Sequence, residues 1–271
     1  PALDSPKLAS YMLDKLPGEF QRVIVVLMDA LALHRLQGWM ADGTAPVWQE
    51  LSQQGLLAPI TSISPSTTSA ALTTLWTGRS PAQHGITGYE MWMKEYGIIA
   101  NTILHAPITF RNDVGSLERA GFEPEKYLPF PTLASHLGKQ GIHTHVMQHH
   151  SIARSGLSKM LLKQADIHTF NTAADLWVNL RKIIEQSPAQ RSYTWVYWSE
   201  VDHFGHLYGP DDERTAAEFS HFSQAMQQLF LERLSPALRK DTLLILTADH
   251  GQITTPLNPH YELRNHPALM R

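Results

Sequence analysis

The chain has 271 residues, 43% hydrophobic and 17% charged, which is long enough for one large α/β domain with a substantial core and too apolar for a disordered protein. Its formal net charge of −3 lacks the basic excess that nucleic-acid or membrane-surface binders need, and the absence of cysteine excludes disulfides, zinc–thiolate sites and a cysteine nucleophile. The first twenty residues carry no apolar signal core, and no later run approaches the roughly 20 apolar residues of a membrane helix, so a cytoplasmic protein without a membrane partner is expected.

In chain order, RVIVVLM (22–28) is a valine-rich apolar run of the kind found in parallel strands buried on both faces. LLAPITSIS (56–64) reads as another strand. The cluster of Ser and Thr that follows precedes SAALTTLWTG (69–78), a short helix. Residues 86–130, rich in Tyr, Trp, Gly and Pro, break the rhythm and read as an insertion or lid near the site. PTLASHLGKQG (131–141) predicts a helix ending at Gly141, and IHTHVMQ (142–148) an alternating strand. NTAADLWVNLRKIIEQ (171–186) has a 3.6-residue apolar face at Leu176, Trp177, Leu180, Ile183 and Ile184, with Thr172 and Asp175 resembling a capping box. TWVYW (194–198) and TLLILTA (242–248) are further buried strands. Between them, residues 211–234 form the longest helical pattern, with Phe219, Phe222, Met226, Leu229 and Phe230 on one side. The alternation predicts a single α/β domain over 1–271, with a mostly parallel central sheet flanked by helices on both faces.

In open parallel sheets, ligands bind beyond the carboxyl ends of the strands. Asp29 follows the first strand, Asp202 and His206 follow the strand at 194–198, and Asp249 and His250 follow the last. Any one of these aspartates reads equally as a turn residue or a helix cap. Their convergence on one sheet edge points instead to a carboxylate–imidazole metal site. The hydroxyls of Ser66, Thr67, Thr68 and Ser69, ahead of a helix, serve either as caps or as a nucleophile beside an anion held by the helix N-terminus.

Taken together, Asp29 after a buried strand, TTLWTGRSPAQHGI, EVDHFGHLYGP and TADHG resemble the alkaline phosphatase superfamily, in its type I phosphodiesterase/nucleotide pyrophosphatase branch. The resemblance covers nearly the whole chain. It implies an alkaline-phosphatase-like fold and two divalent metal ions, zinc first, with manganese or magnesium as alternatives. Asp29, Asp249 and His250 match the ligands of one metal. Asp202 and His206 match two of the three ligands of the other. Thr68, ten residues before Gly78, matches the nucleophile that bridges them. The implied function is two-metal hydrolysis of a small phosphate ester or nucleotide-like substrate through a covalent phospho-threonine. The alternatives are a phosphomonoesterase or phosphomutase of the same superfamily, or a non-catalytic metal-binding domain. A sulfatase would need a Cys or Ser matured to formylglycine, which Thr68 cannot supply.

Two positions depart from the pattern. Ala71 stands where an Asn normally helps hold a phosphoryl oxygen, leaving that task to the backbone N–H of Ser69 or to the insertion. The third ligand of the second metal normally falls in a later segment. His260 and His266 come too early for it and read as surface-loop histidines, so the chain reads as a C-terminally truncated piece of a longer enzyme. His84 reads as a local hydrogen-bonding residue, His143 and His145 as part of a solvated strand face in preference to an adventitious metal site, and the aromatic residues of GYEMWMKEYG as packing within the insertion or a platform for a nucleobase or leaving group.

Overall fold

The structure, a computed structural model, describes residues 18–110, 113–255, 258, 260 and 265–269; most of the N-terminal segment, and two residues of the expected insertion, lie outside the described residues. Its frame is a five-stranded, wholly parallel sheet built from β1 (Arg22–Met28), β5 (His143–His149), β6 (Asp166–Phe170), β7 (Ser192–Trp198) and β8 (Thr242–Thr247), in the order β6-β5-β7-β1-β8. The apolar runs of β1 and β7 face both ways. Ile24, Val26 and Met28 enter one core while Leu27 enters the other. This two-sided burial is why their sequences are continuous rather than alternating.

One face is covered by α1 (Leu33–Ala41), α2 (Pro46–Gln54), α9 (Ala173–Gln186) and α11 (Glu213–Met226). Trp177, Phe219 and Phe222 are fully buried there, each worth about 1.5–3 kcal/mol of transfer free energy. Trp39 stacks on Phe219 with ring centroids 5.0 Å apart, and Trp48 donates its indole N–H to Ser223 at 2.9 Å. The other face packs under α3 (Thr68–Thr77), α7 (Leu133–Gly138) and α8 (Gly156–Leu161). Between α3 and α7, the short helix α4 (Pro81–His84) leads to a small antiparallel sheet of β2 (Glu90–Met93), β3 (Ile98–Asn101) and β4 (Ala106–Pro107). The short helices α5 (Ser116–Arg119) and α6 (Pro124–Tyr127) follow. Leu117 of α5 and Phe122 pack on Ala100 of β3 in a cluster of their own.

Four expectations about elements need correction. LLAPITSIS is not a strand; residues 56–64 run as extended coil, Pro59 having no N–H to give a ladder. The helix expected to reach Gly141 ends at Gly138, and Gly141, at φ 71°, shapes the turn beyond it. The pattern at 211–234 is α-helical only from Glu213 to Met226 and continues as a π turn over Gln227–Leu231, which keeps Phe230 buried. Asp202 does not sit at a strand end. β7 stops at Trp198 and α10 (Glu200–Tyr208) starts two residues later, with Glu200 and Asp202 in the first turn, where negative charge suits the helix dipole. The cap expected at Thr172 is present, its side chain accepting from Asp175 N–H.

Register positions the site. Met28 pairs with Trp198, and Leu27 with Thr247, so β1, β7 and β8 end level with one another. The residues that follow all emerge at the same sheet edge. Among the described residues, no helix is long and apolar enough to cross a membrane.

Candidate metal centre and nucleophile

Asp29 leaves β1 with its N–H bonded to the Trp198 carbonyl at 2.9 Å, and it is 2% exposed. Its Oδ2 accepts the phenolic O–H of Tyr197, while its Oδ1 is buried with no hydrogen-bond partner. The next residue, Ala30, is held at φ 61°, a left-handed conformation that costs a non-glycine residue about 1–2 kcal/mol. That turn lets Ala30 donate its N–H to Asp249 Oδ1 at 3.2 Å.

Asp249 lies two residues beyond β8 and is as buried as Asp29. Its Oδ1 also accepts from His250 N–H at 2.9 Å, and its backbone carbonyl accepts from the Ser62 hydroxyl. Its Oδ2 has no partner. His250 bonds the Gly251 carbonyl through Nδ1 at 3.1 Å. A carbonyl only accepts, so Nδ1 carries the proton, and in the neutral ring Nε2 presents a lone pair. Nε2 is 3.4 Å from Asp29 Oδ1, 3.6 Å from Asp249 Oδ2 and 3.2 Å from Thr68 Oγ1.

Thr68 is the first residue of α3. Of the four clustered hydroxyls, Thr68 is the one that meets His250. Ser69 is fully buried and donates to the Gly88 carbonyl at 3.1 Å. Thr67 occupies the N-cap position but makes no side-chain cap bond, so it does not spend the helix's first N–H groups. Ala71, one turn on, is buried in α3.

Asp202 and His206 sit four residues apart on α10, so they share a helix face; His206 Nε2 is 3.4 Å from Asp202 Oδ1. Asp202 Oδ1 also accepts from Gln252 Nε2 at 2.9 Å. The Asp202 side chain is 20% exposed and that of His206 74%. His84 makes local bonds only, to the Thr74 hydroxyl at 3.0 Å and from Ile86 N–H at 3.1 Å. His266 Nε2 bonds the His260 carbonyl at 2.6 Å. Of the two histidines expected on a solvated strand face, His143 is exposed, whereas His145 is 7% exposed and departs from that expectation.

The electrostatics follow from burial. Burial pushes the Asp29 carboxyl well above the usual carboxylate range, and the charges of Asp249 and Asp202 push it further; the Tyr197 hydrogen bond opposes them. Asp202 is raised as well, first by burial, with His206 opposing. Burial also raises Tyr197 well above its ordinary value, which keeps it a donor. Two buried carboxylates that each leave one oxygen unpartnered around an imidazole lone pair are chemically matched to a divalent cation. Such a cation would satisfy both orphaned oxygens and cancel the repulsion. The ligand atoms of Asp29, Asp249 and His250 lie within 4.8 Å of one another, as a shared ion requires.

Sequence reasoning missed Tyr197 and Gln252, the partners that orient Asp29 and Asp202. Tyr197 carried a faint signal, since a hydroxyl in a buried apolar strand needs an acceptor.

A family-wide sequence profile described as type I phosphodiesterase / nucleotide pyrophosphatase matches residues 23–267. No curated protein matches the chain significantly. Among solved structures, murine ectonucleotide pyrophosphatase/phosphodiesterase 5 superposes with a TM-score of 0.59 at 19% identity, over 84% of this chain and 57% of that one. Its inactive form in complex with AMP gives 0.60, also at 19% identity, over 86% and 57%. Phosphonoacetate hydrolase from Sinorhizobium meliloti 1021, in complex with phosphonoformate, gives 0.58 at 17% identity, over 84% and 55%. The chain therefore spans little more than half the length of these solved structures. At such identities they establish a shared alkaline-phosphatase-like α/β fold. With the profile covering nearly all of its length, the chain belongs to the type I phosphodiesterase/nucleotide pyrophosphatase family.

Proposed function

We propose that this chain carries the nucleophile and metal centre of a phosphoester hydrolase, acting on phosphodiesters or nucleotide pyrophosphates through a covalent phospho-threonine at Thr68. The observation that carries the reading is the Thr68 hydroxyl at a helix N-terminus, 3.2 Å from a histidine whose ring nitrogen also faces two buried, half-satisfied carboxylates. Asp29, Asp249 and His250 would hold one divalent ion, and Asp202 with His206 would contribute to a second; zinc suits this oxygen–nitrogen donor set. Bound there, such an ion supplies positive charge that favours ionisation of the threonine hydroxyl and offsets charge developing on the phosphoryl group.

The chain's own groups do the rest. His250 Nε2 accepts from the Thr68 hydroxyl while the cluster is metal-free; with an ion held there its one lone pair would be taken, and the start of α3 is what positions Thr68. Thr68 Oγ, its proton released to water, attacks phosphorus; the bond to the leaving alcohol (or, from a pyrophosphate, the leaving phosphate) breaks and the leaving alkoxide takes a proton from water, forming a threonine phosphodiester. Water then displaces the threonine and releases the phosphomonoester product. The leading N–H groups of α3 and its dipole favour the anionic phosphoryl oxygens, which matters more here because Ala71 offers no amide side chain. The murine neighbour bound to AMP is an inactive form in which a threonine is replaced by alanine, which supports a threonine nucleophile and a nucleotide-like ligand.

The test is acid-quenched labelling with an aryl phosphodiester in the presence of zinc or manganese. Wild-type protein should give a stoichiometric burst and a label on Thr68. Thr68→Ala should lose both, and turnover should drop by roughly 10³-fold or more. A burst that survives in Thr68→Ala, or a label on Ser66, Thr67 or Ser69, would sink the proposal. A matched monoester separates the phosphatase alternative.

A further inference from the structure

The sheet carries a second group of ligating side chains at the end opposite the nucleophile. His143 opens β5 and Asp166 opens β6. In the parallel register His145 pairs with Asp166, and Met147 with His168. Paired residues point to the same face of a sheet, and so do alternate residues of one strand. His143, His145, Asp166 and His168 therefore share a single face, across two neighbouring strands. His143 Nε2 lies 2.5 Å from Asp166 Oδ2, and His145 Nδ1 lies 3.1 Å from His168 Nε2. The rings of His143 and His145 have centroids 4.7 Å apart, and those of His145 and His168 5.2 Å. Ligand atoms of His143, His145 and Asp166 all lie within 4.8 Å of one another.

A solvated polar edge does not explain this arrangement. His145 is 7% exposed, and its ring lies between those of His143 and His168. Its bond with His168 uses Nδ1 and leaves Nε2 to offer.

We propose that His143, His145 and Asp166, with His168 adjoining, form a further metal site for a zinc-class divalent cation, separate from the phosphoester centre, which clamps edge strand β6 onto β5. Imidazole-rich sets with one carboxylate select zinc, nickel or copper over magnesium or calcium, which take oxygen ligands. Among the described residues β6 has a sheet neighbour on one side only and exposes Ile167, so an ion shared with β5 would tie down this edge.

The experiment uses the full chain stripped by chelator and titrated with zinc, read by calorimetric stoichiometry and by the zinc-induced shift in melting temperature. Asp249→Asn provides a background in which the Asp29 cluster is disabled. There, His143→Ala combined with Asp166→Asn should remove one zinc equivalent and its share of the thermal shift. Both side chains are largely exposed, 42% and 59%, so the metal-free melting temperature should not change. The milder His143→Gln should weaken this equivalent about 10-fold or more, and guards against misreading a fold defect. Magnesium should give no equivalent at this site. The proposal is overturned if the double variant keeps the same stoichiometry and thermal shift, if His143→Gln binds zinc like its parent, or if magnesium occupies the site as tightly as zinc.

Discussion

The Asp29–Asp249–His250 cluster and the Asp202–His206 pair stand at the same sheet edge but are built differently. The first comes from the ends of two adjacent strands, β1 and the edge strand β8, whose register is fixed, and both its carboxylates are 2% exposed. The Tyr197 hydroxyl and the N–H groups of Ala30 and His250 each pin one oxygen and leave the other orphaned. The second comes from one helix face, with His206 largely in solvent and Asp202 steadied by Gln252. Strand ends held by a hydrogen-bond ladder create a preorganised but electrostatically frustrated cluster, destabilising until a cation arrives. In the i, i+4 pair only Asp202 is largely buried, and His206 and Gln252 both face its carboxylate, so the pair carries less frustration and gives correspondingly less pull on an ion.

The sharpest way to break this comparison is Asp249→Asn. The amide oxygen can still accept from Ala30 and His250, while its NH₂ can donate toward Asp29 Oδ1. Zinc affinity of the cluster should fall by more than the about 10–100-fold typical of losing an outer-shell partner. Metal-free stability should instead rise, by about 1–3 kcal/mol, because buried unsatisfied groups gain partners. Zinc titration and urea unfolding in chelator measure the two effects. If they move in the same direction, the cluster is not frustrated.

Tyr197→Phe removes the donor to Asp29 Oδ2 without changing ring volume. Zinc affinity should fall about 10–100-fold. Metal-free stability should fall as well, by about 1–3 kcal/mol, because both oxygens of a buried carboxylate are then unpartnered. Unchanged zinc binding would mean that the ion, rather than Tyr197, sets the orientation of Asp29.

Gly205→Ala tests the helix-borne pair. A Cβ at Gly205 would sit 1.9 Å from Gln252 Oε1, so Gln252, a flexible side chain, must leave Asp202. The weaker zinc step should lose about 10-fold in affinity, while the tighter step and the fold are retained. A loss in the tighter step would show that the two groups are one cooperative site.

The fold was legible where burial writes itself into sequence. β1 and β7 are buried apolar runs, and α9 carries its 3.6-residue face and a Thr172 cap; β8 is a strand as expected but not a buried one, since it ends the sheet among the described residues and exposes Ile245. The coil at 56–64 was misread because its apolar residues imitate a strand; Leu57 and Ile60 are in fact exposed. Asp29, Asp249 and His250 were legible as a candidate group because each follows a strand and the sheet brings those ends together; Thr68 follows no strand, and only the family resemblance separated it from Ser66, Thr67 and Ser69. Tyr197 and Gln252 were not, since a hydrogen-bond partner leaves no periodic signature. The buried His145 was misjudged because strand alternation shows one strand at a time, while its partners on β6 lie more than twenty residues away.

The smallest expected effect is on pH dependence, and it isolates the frustration of Asp29. A carboxyl whose folded pKa is raised binds a proton more readily in the native state than in the unfolded chain. Stability therefore falls as pH rises from the ordinary carboxylate pKa toward the raised native value, and the penalty is fully present above it. His105, depressed to about 4 chiefly by burial, acts oppositely and costs stability as pH falls below the usual histidine range. The wild-type profile mixes these slopes, so the informative quantity is the difference between Asp29→Asn and wild type, both metal-free. The advantage of Asn should be smallest in acid and grow with rising pH, by at most about 1.4 kcal/mol per pH unit for one proton, and level off once Asp29 is ionised. Saturating zinc should reverse the order, because the ionised carboxylate then has its counter-charge. A pH-independent difference between the two metal-free proteins, measured by urea midpoints across the acid-to-neutral range, would mean that Asp29 ionises at its ordinary pKa and that the cluster is no more frustrated than the Asp202–His206 pair.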